Sequence, residues 1–101
     1  MNVEQLTEWM NEQRDLHPTR LILPHFKCPD GFMLSIQASD LHYCSPREKD
    51  LRQYNSVELG YPSEPVEALL PYAEDANDPT CTVYGWVPLA LVADVLTAHG
   101  A

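Results

Sequence analysis

The sequence predicts an α+β fold, a mostly antiparallel sheet of about four strands covered by two or three helices, in the order α-β-β-β-α-β-α. Helical apolar spacing opens and closes the chain, a strand–turn–strand pattern follows the first helix, and no regular βαβ alternation appears between them. A length of 101 residues predicts a single domain over residues 1–101, large enough to build one core without disulfides.

The elements follow in order. Asn2 is placed to cap a first helix, with Gln5 three residues on as in a capping box, and Val3, Leu6, Trp9 and Met10 share one face over residues 3–14. Pro18 ends it, because the residue before a proline avoids the helical region. Leu21-Ile22-Leu23 and residues 25–28 read as extended, with Pro24 confining them to an edge or a bulge. Pro29-Asp30-Gly31 has turn chemistry, and residues 32–37 alternate, so this region is a hairpin. Residues 39–53 are polar and aperiodic, an ordered loop long enough to carry contacts. Residues 54–59 alternate as a half-buried strand ending at Gly60. Ser63 and Pro65 open a short helix whose inner face is Val66, Leu69 and Leu70, closed by Pro71. Residues 75–79 are a loop by composition. Residues 80–87, rich in β-branched and aromatic types, form the strongest predicted strand. Pro88 starts a closing helix striped by Leu91, Val92, Val95 and Leu96, and Gly100 stops it.

Apolar residues make up 45% and charged residues 21%, so the whole chain is expected to fold. No stretch approaches the ~18 consecutive apolar residues of a membrane span. The opening residues lack the basic cluster and apolar run of a secretory signal, which predicts a cytoplasmic protein. Three cysteines at irregular spacing predict free thiols.

Net charge is −9, and its placement is uneven. All six bases lie within the first 52 positions, whereas the chain from Gln53 onward holds seven acids and no Lys or Arg. Such a half repels phosphate backbones and anionic lipids, which argues against direct nucleic-acid binding, and it attracts basic surfaces. Acid excess also serves solubility alone in many proteins.

Four side chains could close a tetrahedral zinc site, His25-x-x-Cys28 and His42-x-Cys44. The spacing is not a standard one, and buried thiols with histidines at the rim are the favoured reading. A Cys44 or Cys81 nucleophile paired with a histidine lacks any local signature. No Gly-x-Ser-x-Gly elbow, calcium loop or phosphate-cradling glycine run occurs. No cofactor and no catalysis are therefore expected. Among the aromatics, Tyr84 and Trp86 are expected in the core, and Tyr61 and Tyr72 at an interface.

Residues 59–63, 72–74, 79–80, 82–88 and 99–100, with His42-Tyr43-Cys44-Ser45-Pro46-Arg47, resemble small acidic proteins of tailed bacteriophages and prophages. That group includes anti-CRISPR inhibitors, which bind a nuclease complex and block its surfaces. The resemblance implies a protein that inhibits a host nucleic-acid-handling defence complex, such as a CRISPR effector, without catalysis. Its partner surface is expected on Glu64, Glu67, Glu74, Asp75 and Asp78 with Tyr61 and Tyr72, facing a basic host protein or nucleoprotein complex. Two other readings stand beside it: a small zinc-binding or thiol-dependent protein, and an accessory or structural phage module forming a homodimer through the closing helix or an edge strand.

Overall fold

A computed structural model describes all residues, Met1 to Ala101, and the fold is α+β as the sequence predicts. Helix α1 spans Val3–Leu16, strand β1 Phe26–Lys27, β2 Met33–Gln37, β3 Ser56–Gly60, β4 Val83–Pro88 and helix α2 Leu89–Ala98. The sheet is antiparallel throughout, in the order β1-β2-β3-β4.

The start of α1 follows from its chemistry. Asn2 Oδ1 accepts from the Gln5 N–H at 2.8 Å while Gln5 Oε1 accepts from the Asn2 N–H at 3.0 Å, a full capping box. Leu6 and Met10 are buried, and the half-buried Trp9 meets Phe26 edge-on with ring centroids 4.8 Å apart. The hairpin forms around Asp30, whose carboxylate accepts from the Phe32 N–H at 2.9 Å, and Gly31, whose φ of 95° suits glycine.

Register sorts the sheet residues onto two faces. Leu34, Ile36, Val57, Leu59, Tyr84 and Val87 are buried in the same apolar core as Leu6, Met10 and the stripe of α2. Ser35, Gln37, Glu58 and Gly60 alternate with them and point to the opposite face. α2 buries Leu89, Val92, Ala93, Val95 and Leu96, so the closing helix spends its apolar stripe inside the molecule.

Several expectations are corrected. Residues 21–23 join no strand; Leu21 and Ile22 are exposed, and only Leu23 is buried. β3 starts at Ser56, because the Asn55 and Ser56 N–H groups are taken by the Ser45 carbonyl at 2.7 and 3.3 Å. The predicted helix after Ser63 is a 3₁₀ helix over Glu67–Tyr72, with Leu69 buried, Leu70 only half-buried and Pro71 inside it. Residues 78–81 form a turn closed by the Cys81 N–H on the Asp78 carbonyl at 3.0 Å, and β4 starts only at Val83. Trp86 leaves the core altogether.

Candidate functional site

The reason Trp86 leaves the core is a β-bulge. Val57 pairs with Val87 and Leu59 with Tyr84, so the single residue Glu58 faces two residues of β4, Gly85 and Trp86. The extra residue breaks the alternation that would send Tyr84 and Trp86 to one face. Trp86 adopts a φ of 52°, a left-handed conformation that is a genuine outlier for a bulky side chain, and the residue is 52% exposed. Tyr84 stays fully buried, its hydroxyl donating to the Pro79 carbonyl.

The loop of residues 39–53 supplies the other half of the site. Tyr43 donates its N–H to Glu58 Oε1 at 3.0 Å and accepts from the Trp86 N–H at 2.9 Å, so its backbone is tied to β3 and β4 at once. Gly85 makes the approach possible: a Cβ there would lie 3.3 Å from the Tyr43 Cβ. The Tyr43 and Trp86 rings stack with centroids 5.0 Å apart and planes 25° from parallel. Arg47 Cζ lies 5.4 Å from the Tyr43 ring centre, making a cation–π contact within the same assembly.

Beside this stack lies an open groove of 440 Å³, bordered by Tyr43 and Trp86, by Val83 and Gly85, and by Tyr72, Ala73 and Glu74. The Tyr72 side is held against β4 by a bridge between Ala73 and Tyr84 and by the Glu74 N–H on the Val83 carbonyl at 2.9 Å. Glu74 and the next acids, Asp75 and Asp78, are exposed. The Asp75 N–H donates to Thr82 Oγ1 at 3.0 Å and its carboxylate accepts from the Asn77 N–H at 3.1 Å, which orders the acidic loop without neutralising it.

Of the partner-binding residues expected from sequence, the structure therefore brings Tyr72 and Glu74 to one groove, with Asp75 following Glu74 directly in the chain. It sends Glu64 elsewhere, 3.7 Å from His99 Nε2, while Asp30 sits 2.7 Å from the other ring nitrogen and Phe32 stacks on the imidazole. Glu67 is exposed in the first turn of the 3₁₀ helix. Tyr61 is 53% exposed with a φ of 52°, its N–H donating to the Thr82 carbonyl at 3.1 Å, and it does not border the groove.

The zinc set is not assembled. No three His, Cys, Asp or Glu side chains surround a common point. Cys28 and Cys44 are buried, and burial pushes both thiols above their ordinary value, so each holds its proton at neutral pH. Cys44 uses that proton, donating to the Ser39 carbonyl at 3.1 Å, and His42 Nδ1 is engaged by Ser39 Oγ at 2.7 Å. A buried thiol whose pKa is raised is a weaker nucleophile than an ordinary cysteine.

Sequence reasoning missed Trp86 and Tyr43 as a pair. The one available signal was Gly85, an isolated glycine inside a strong strand pattern, which marks a bulge or a close approach. No protein-family model matches this chain, and neither a curated protein nor a solved structure does.

Proposed function

We propose that this chain is a non-enzymatic binding protein that docks onto a basic host protein or nucleoprotein complex and blocks it, as an anti-CRISPR-like inhibitor of a nucleic-acid-handling defence complex would. The observation that carries the reading is the exposed Trp86, held by a bulge in a conformation a large side chain avoids and stacked on Tyr43 beside a groove bordered by Glu74. An aromatic face with a carboxylate nearby suits an arginine or lysine of the partner, which gains a cation–π contact and an ion pair together. The uneven charge supports the same partner, because a chain of net charge −9 with no base after Arg52 is steered toward positive surfaces. No helix is long and apolar enough to cross a membrane.

Affinity capture from a bacterial host lysate tests the proposal when run with variants side by side. Trp86→Ala, and separately Glu74→Lys with Asp75→Lys and Asp78→Lys, are expected to lose the retained protein, while Glu4→Lys on the exposed face of α1 keeps it. Equal retention by all of them contradicts the assignment.

A further inference from the structure

A second concavity lies where the end of α1, the strap of residues 17–23, the end of β2 and residues 49–52 meet. It measures 370 Å³ and is lined by Arg14, Arg20, Lys49 and Arg52 together with His17. Four of the six bases of the chain thus surround one cavity, and the rest of the molecule keeps only Lys27 and Arg47 against twelve acids. In an acidic protein, cations brought together are expected to find carboxylates. Here only Arg52 does, through Asp15 at 2.9 Å. Arg14 is held by Asn11 and over the Tyr54 ring, and Arg20 and Lys49 form no ion pair with the protein.

The wall of the cavity is fixed in place. Gln37, buried at the end of β2, accepts from the Leu23 N–H and donates to the Leu23 carbonyl, both at 3.0 Å, and donates again to Ser35 Oγ at 2.9 Å. This clamp holds the strap carrying Arg20 beside the sheet without making it a strand. Asp15, Asp40 and Asp50 also line the cavity and set a limit on its charge, so the site selects an anion able to engage several cations at once.

We propose that this cavity binds a small phosphate-bearing anion carrying two or more phosphoryl groups. Guanidinium forks and a lysine ammonium match phosphoryl oxygens, and the volume falls within the range of small-molecule sites. Apart from the His17 imidazole no aromatic ring lines the cavity, so no Phe, Tyr or Trp offers a nucleobase a stacking face, and recognition rests on the phosphate chain.

Calorimetric titration of the full chain with tripolyphosphate, adenosine triphosphate, inorganic phosphate and adenosine tests the site. Tripolyphosphate and the nucleotide are expected to bind one equivalent with affinities within a few fold of each other, inorganic phosphate more weakly, and adenosine not at all. Arg20→Ala and Lys49→Ala, both at exposed positions, are each expected to weaken tripolyphosphate by roughly 10-fold. Lys27→Ala, outside the cavity, leaves it unchanged. Absence of saturable tripolyphosphate binding overturns the proposal, and so does equal weakening by Lys27→Ala, which would mean attraction by net charge alone. Adenosine binding as well as the triphosphate does would overturn it too, by moving recognition to the base.

Discussion

Trp86 is costly to the chain on two counts, since its ring faces water and its backbone is left-handed at roughly 1–2 kcal/mol for a residue with a Cβ. Stacking on Tyr43 returns part of that, roughly 0.5–1.5 kcal/mol. Replacement separates the two contributions. Trp86→Gly is expected to be about 1 kcal/mol more stable than Trp86→Ala in urea denaturation, because glycine tolerates the positive φ, and both variants are expected to lose the partner. Chemistry at the thiols is equally specific to single residues. Cys28 and Cys44 are buried with raised pKa values, while Cys81 is exposed. Iodoacetamide is therefore expected to label Cys81 alone in the folded protein and all three cysteines in denaturant, as read by intact mass.

Among the elements, α1 is the one whose boundary chemistry is written most plainly. Asn2→Ala removes the side-chain half of its capping box and is expected to lower stability by about 1 kcal/mol, measured by urea denaturation. That helix, the hairpin at Asp30-Gly31 and the closing helix were legible because capping, turn and apolar spacing are local signals. The segment from Ser63 was less so. Pro65 and Pro71 each lack a backbone donor, so a short apolar spacing that reads as α-helix settles into a 3₁₀ turn. In β4 the periodicity of residues 80–87 placed the strand but misplaced Trp86, since a bulge depends on the pairing register with β3 and not on the strand's own sequence. Tyr43 and Trp86 come together from segments far apart in the chain, a proximity that no spacing rule encodes.

Across the whole molecule, charge is unevenly placed in space as it is in sequence. Four of the six cations gather at one cavity, whereas the groove bordered by Trp86 has Glu74 on its Tyr72 side with Asp75 next in the chain, so one chain of net charge −9 presents two surfaces of different character. Binding through the groove is accordingly expected to weaken as salt rises. Acid sensitivity also belongs to this scale, because Asp30 joins the β1–β2 turn to His99 at the far end of the chain. The Phe32 N–H and then His99 hold the Asp30 carboxyl below its ordinary value of 3.8. A depressed folded value means stability that is present above 3.8 and lost as pH falls through the lower folded value. Asp30→Asn is thus expected to be less stable at neutral pH and to show a shallower loss below that value in denaturation measured across pH.

Fluorescence of Trp86 tests the central claim most directly. A Trp9→Phe variant leaves Trp86 as the sole indole, and an arginine-rich peptide serves as the basic partner surface. Docking at the groove predicts a saturable change in Trp86 emission, protection from acrylamide quenching, and loss of both effects when Glu74, Asp75 and Asp78 are changed to Lys. Unaltered emission and quenching at peptide concentrations that do bind the chain would contradict it, because the basic surface would then be engaging the protein somewhere other than Trp86.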